Sequence, residues 1–159
     1  MSNDFEHNLI KGRIAEMVFE LMMRESGAFT VIPFGYENTI HELLHYQNIK
    51  KQKKAIQRVR KTPDFVVISS ETKTVHLVEV KYRKNPDAKY LRKMAQEMME
   101  LWDPSWLFVA SPKEFYFDSA EFIVKNNGKM KPLLETLEIK SITPKLRKKY
   151  LELLNNFEQ

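Results

Sequence analysis

Cysteine is absent from the 159-residue chain, which removes any disulfide framework and any thiolate metal site. No uninterrupted apolar stretch is long enough to cross a bilayer, so a membrane partner is not expected. The first residues are polar and charged and do not read as a secretory signal, and a cytoplasmic protein is expected. Internal repeats and low-complexity tracts are missing as well, and nothing marks a second domain. What is present is 43% hydrophobic residues. At this length that suffices for one globular domain, residues 1–159, with a sizeable core.

The formal net charge is +5 and the sequence pI about 9.3. This excess is compatible with a polyanionic partner without singling one out, and its distribution says more. Lys50, Lys51, Lys53, Lys54, Arg58, Arg60 and Lys61 fall within twelve positions just ahead of Asp64, and Arg83 and Lys84 follow Lys81. Phosphate contacts are expected of these residues, because they flank an acidic constellation. A second cluster, Lys145, Arg147, Lys148 and Lys149, reads as a solvated helix face.

That constellation is Pro63-Asp64 followed fifteen positions later by Glu79-Val80-Lys81. Asp64 opens the apolar run Phe65 to Ile68, Ser69 to Lys73 are turn formers and polar residues, and Thr74 to Tyr82 is β-branched and aromatic-rich. Two such runs around a short polar break predict a β-hairpin. A four-residue loop, Ser70 to Lys73, pairs Ser69 with Thr74 and Val66 with Leu77, and sets Asp64 opposite Glu79. Opposed side chains have Cβ atoms about 4.5–5.5 Å apart, where like charges repel and an intervening divalent cation would attract both. Strand alternation puts Glu79 and Lys81 on one face and Val78, Val80 and Tyr82 on the other.

Around the hairpin, residues 4–24 predict an amphipathic helix, with Asn3 and Glu6 as a capping box and Leu9, Ile10, Ile14, Met17, Val18, Leu21 and Met22 as its apolar face. Gly27 stops it, and Phe29 to Phe34 predict a first strand. Residues 38–59 have helical spacing at Ile40, Leu43, Leu44, Ile49 and Ile56. Asn85-Pro86 predicts a helix start, with Tyr90, Leu91, Met94, Met98 and Leu101 as apolar face and Asp103-Pro104 as its end. Trp106 to Ala110 predicts a buried strand, parallel to the second hairpin strand because a helix intervenes. Phe115 to Phe117 suggests a further strand and Ser119 to Lys125 a short helix. Thr143-Pro144 predicts a last helix over 144–157, burying Leu146, Tyr150, Leu153, Leu154 and Phe157.

Pro63, Asp64, Glu79 and Lys81 in this hairpin context resemble the PD-(D/E)xK nuclease superfamily, the restriction-endonuclease-like phosphodiesterases. The resemblance covers about residues 5–110. It implies an α/β fold with a mixed sheet and an α-β-β-β-α-β core, a helical insertion at about 38–59 before the second strand, and an extension at about 111–159 ending in the C-terminal helix. It implies an enzyme that hydrolyses DNA with Mg²⁺ or Mn²⁺ and leaves a 5′-phosphate and a 3′-hydroxyl. Asp64, Glu79 and the backbone carbonyl of Val80 would bind metal, and Lys81 would serve the attacking water or the transition-state charge. Glu16 looks like the first-helix glutamate of Holliday-junction resolvases, a further metal or water ligand, with Gly12 one turn earlier leaving open the space it reaches over. Glu20 is the alternative occupant. Gln96 stands where some members carry a site-touching residue. Many small members pair up, so a homodimer is compatible with the resemblance.

Two other readings compete. His41-Glu42-Leu43-Leu44-His45 spells H-E-x-x-H, which on a helix can chelate zinc for a metallopeptidase. Asn48 and Lys51 stand where a metzincin extension wants glycine and histidine, and the basic residues that follow suit a zinc site poorly. A non-catalytic nucleic-acid-binding module on the same fold is the other. The intact Asp64, Glu79 and Lys81 argue against it.

Overall fold

Five strands form one mixed sheet in the order β1-β2-β3-β4-β5. The computed structural model describes residues 2–35, 53–136 and 139–157. In chain order the elements are α1 (Ser2–Glu25), β1 (Phe29–Pro33), α2 (Lys53–Arg60), β2 (Phe65–Ser69), β3 (Val75–Tyr82), α3 (Ala88–Leu101), β4 (Trp106–Ala110), β5 (Phe115–Ser119), α4 (Ala120–Lys125) and α5 (Pro144–Asn156). Among the described residues no helix is long and apolar enough to cross a membrane. Of the insertion expected at 38–59, α2 is the described part, and residues 36–52 lie outside the described residues.

The hairpin adopts the register that loop length and alternation predict. Val66 faces Leu77 and Phe65 faces Val78, and the Lys73 amide donates to the Ser69 carbonyl at 3.0 Å to close the turn. β1 pairs antiparallel with β2. β4 runs parallel to β3, as a strand returning after a helix should, and β5 antiparallel to β4.

Each face of the sheet has its own core. Phe65, Val67, Val78, Val80 and Tyr82 point to the side covered by α1 and α5. Phe19 of α1 drops between Phe65 and Phe108, with ring centroids 5.4 and 4.8 Å away. Parallel pairing sets Glu79 beside Leu107 and Lys81 beside Val109. Leu107 and Val109 lie under α3 and α4, against Leu91, Ala95, Ala120 and Ile123. The acidic row therefore shares the face that α3 partly roofs.

Four local expectations need correction. α1 already begins at Ser2, so Asn3 lies inside the helix and is not its cap. The face of α1 turned to the sheet is Ala15, Val18, Phe19, Met22 and Met23, whereas Leu9, Ile10, Met17 and Leu21 are exposed. This helix is apolar on two sides, and the small Ala15 beside the large Phe19 ring gives the side that fits the sheet. α3 is capped by Asp87, whose carboxylate accepts from the amides of Lys89 and Tyr90 at 3.4 and 3.2 Å, so Asn85-Pro86 stands ahead of the helix. On α5, Thr143 does cap, accepting from Leu146 at 3.1 Å, but Phe157 falls past the last turn and is exposed.

The Asp87 cap yields a direct expectation. Asp87→Ala should cost about 1 kcal/mol and lower the melting temperature by about 2–4 °C. A thermal melt checks it, and an unchanged melt would mean the cap carries no weight.

Candidate active site

Asp64 sits one step beyond the paired end of β2, opposite Glu79 on β3. Its backbone is pinned from the far side, because its carbonyl accepts the amides of Phe34 and Gly35 at 2.9 and 3.1 Å. Its carboxylate reaches across to β3 and accepts the Val80 amide at 2.7 Å. Glu79 and Lys81, two residues apart on one strand face, form an ion pair at 2.6 Å, with side chains 19% and 34% exposed. Two carboxylates and an ammonium are thus gathered on adjacent strands.

Electrostatics make this a costly arrangement for the two carboxylates. Burial, then repulsion from Glu79, pushes the Asp64 carboxyl up to about 7, and the Val80 amide only partly opposes the rise. Burial also raises Glu79, against the pull of Lys81. Burial by itself would lower Lys81, but the charge and hydrogen bond of Glu79, with the charge of Asp64, outweigh it and raise the ammonium above its ordinary value. Glu16 adds to the negative field at both carboxylates.

These groups lie in a cleft of about 660 Å³ between α1 and α3, past the end of β1. Glu16 lines it and pairs with Arg13 at 3.0 Å. Glu20 lines it one turn on and pairs with Arg24. A Cβ at Gly12 would meet nothing within 4 Å, so that turn of α1 is open as expected. Pro63, Arg60 and Lys61 form the opposite rim, with Lys61 bonded to Glu97 at 2.7 Å. Tyr90, Met94, Met98, Leu101 and Trp102 make an apolar wall.

Other expected residues sit elsewhere. Gln96 is exposed and does not line the cleft; its neighbour Glu97 does. Arg58 is committed to structure, donating to the Leu101 carbonyl at 3.0 Å while its own carbonyl accepts the Trp102 indole. Arg83 stacks on Tyr90 and bonds its hydroxyl, outside the cleft lining. Lys54 and Lys84 are exposed. Lys50, Lys51 and the side chain of Lys53 lie outside the described residues, as do His41, Glu42 and His45. Of the described histidines, His7 is exposed on α1 and His76 is buried beside Trp106; neither lines the cleft.

Sequence reasoning missed Trp102. The i,i+3 spacing of Arg13 and Glu16 on α1 suggests the ion pair they form, but not that Arg13 lines the cleft. Trp102 follows α3 and offers no local signal, since its place depends on how α2 and α3 dock.

Among the described residues no three histidine, aspartate or glutamate side chains close into a metal-ligating cluster. Asp64 and Glu79 stand as a pair, with Glu16 acting on them through its charge. No protein family, curated protein or solved structure matches the chain.

Proposed function

We propose that this chain is a metal-dependent nuclease that hydrolyses phosphodiester bonds in DNA, on a restriction-endonuclease-like fold. One observation carries the reading. Asp64 and Glu79 face each other on adjacent strands, with Lys81 2.6 Å from Glu79, in a cleft rimmed by Arg13, Arg60 and Lys61. The order α1-β1-β2-β3-α3-β4, with an antiparallel hairpin followed by a parallel strand, supports the fold assignment.

The donor set fits a hard divalent ion, because it is carboxylate and carbonyl oxygen with no sulfur. The raised Asp64 and Glu79 carboxyls point the same way: burial lifts both first, Glu79 then repels Asp64 and Glu16 repels both, a cost that a cation beside them would relieve. Asp64, Glu79 and the Val80 carbonyl would hold Mg²⁺ or Mn²⁺, which would polarise a phosphoryl oxygen and acidify a water. Glu16 would orient that water or hold a second ion from the α1 side. Lys81, 2.6 Å from Glu79, would orient or deprotonate the attacking water, or steady negative charge on the attacked phosphate. Arg13, Arg60 and Lys61 would neutralise flanking phosphates. The wall of Met94, Met98 and Trp102 would meet sugar and base.

The test is a cleavage panel on duplex, single-stranded, flap and four-way DNA, with matched RNA, in Mg²⁺, Mn²⁺, Zn²⁺ or EDTA. The expected result is Mg²⁺- or Mn²⁺-dependent product bearing a 5′-phosphate. Salt-sensitive DNA binding without turnover in any metal would leave a binding module instead. Zinc-dependent proteolysis lost in His45→Ala would replace the nuclease by a peptidase.

A further inference from the structure

α1 carries a second, narrower apolar stripe. Ile10, Met17 and Leu21 are 45–59% exposed along it, with Ile14 between them half-buried against the edge of the core, whereas Phe5 and Leu9 are exposed on another side of the helix. Scattered exposed leucines are ordinary, but a contiguous row on one helix marks a contact surface. Ile10, Ile14, Met17 and Leu21 follow four-three-four spacing, the alternating d and a positions of a heptad. At 3.6 residues per turn, Ile10, Met17 and Leu21 point away from the Ala15, Val18, Phe19 and Met22 side that meets the sheet. Residues 4–10 are exposed throughout, so the first turns of α1 project beyond the core. A projecting helical segment this short gains little from its own hydrogen bonds and calls for a tertiary partner.

We propose that this stripe pairs with the same stripe of a second copy, the two α1 helices running antiparallel about a two-fold axis beside Ile14 and Met17. Charge selects both the occupant and the direction. With Ile14 packed on Met17 and Ile10 on Leu21, the positions flanking the seam on the cleft side set Arg13 of one copy opposite Glu20 of the other. Symmetry repeats that contact. A parallel pair would instead bring Glu20 beside Glu25 of the second copy. Within each chain Arg13 already bonds Glu16 and Glu20 already bonds Arg24. The antiparallel contact joins these pairs into one network of alternating charge across the axis. Because Arg13, Met17 and Glu20 also line the cleft, the second copy's α1 borders the cleft rim, and the two clefts open beside one another. The pairing rests on α1 alone and stands whether or not the cleft hydrolyses DNA.

Sedimentation equilibrium of the full chain tests this. The wild type is expected at twice the monomer mass in the micromolar range. Ile10→Asp with Leu21→Asp should weaken the dimer by at least about a hundredfold while circular dichroism stays unchanged, because neither side chain is in the core. Arg13→Glu and Glu20→Arg should each weaken self-association, and mixing the two chains should restore it as a heterodimer with both contacts matched. A wild type that stays monomeric, or a dimer that survives the aspartates, overturns the proposal. A mixture that remains monomeric overturns the antiparallel arrangement.

Discussion

Glu79→Ala is expected to abolish Mg²⁺-dependent cleavage, lowering the single-turnover rate by at least about a thousandfold, or about 4 kcal/mol of transition-state stabilisation. The size of the loss follows from what Glu79 does in the site. It supplies one of two opposed carboxylates, and it is the partner that holds Lys81 in place at 2.6 Å. Removing it would delete one of the two proposed metal ligands and leave a half-buried ammonium without its nearest counter-charge. Glu79→Gln separates these effects, because the amide keeps the volume and a carbonyl acceptor but not the charge. It should be almost as inactive as alanine if the charge is needed to bind a cation. Lys81→Ala should cost less, about a hundredfold, since Asp64 and Glu79 would still hold the ion. Single-turnover rates on one labelled DNA in excess Mg²⁺ check all three. A Glu79→Gln protein that cleaves at the wild-type rate would remove the metal pair from the mechanism.

The second large effect is on stability. Asp64 titrates near 7 in the folded, metal-free chain and near 3.8 when exposed. The folded state therefore keeps a proton that the unfolded state has released between those values, so raising the pH favours unfolding. The penalty is small below about pH 4, grows through the window from about 4 to about 7, and is complete above it. Its size at neutral pH is about 2–4 kcal/mol, allowing for the partial exposure of Asp64 and the shared repulsion with Glu79. Asp64→Asn removes the charge while keeping an acceptor for the Val80 amide. It should raise the melting temperature in EDTA at about pH 8 by on the order of 5–10 °C, with the gap narrowing by more than half at about pH 5. Mg²⁺ should stabilise the wild type and not the variant, and its affinity for the wild type should fall as the pH drops below about 7, where the Asp64 proton competes. Equal melts for the two proteins at about pH 8 would show that Asp64 is not under electrostatic stress.

The hairpin was legible because its information is local. A polar break of fixed length and strict alternation on both sides leave one register that buries Val78 and Val80, and a slip by one residue would turn Glu79 into the core. The Thr143 cap and the parallel β4 strand follow equally short rules. The α1 face did not, because Leu9, Ile10, Met17 and Leu21 satisfy helical periodicity as well as Val18, Phe19 and Met22 do. Periodicity reports that a helix has apolar sides; shape complementarity to Phe65 and Phe108 decides which side is buried. The basic cluster divided for a similar reason. Arg60 and Lys61 reach the cleft, whereas docking against the end of α3 turns Arg58 onto Leu101 and Trp102.

Chain order and alternation are enough to bring Asp64, Glu79 and Lys81 onto one strip of sheet, because neighbouring strands joined by a tight turn have little freedom in how they meet. The cleft around that strip is another matter. Its walls come from α1, the end of β1, the end of α2 and one side of α3, segments far apart in the chain whose approach is set by two separate cores. Burial, the quantity that lifts Asp64 to about 7, exists only once those cores have closed.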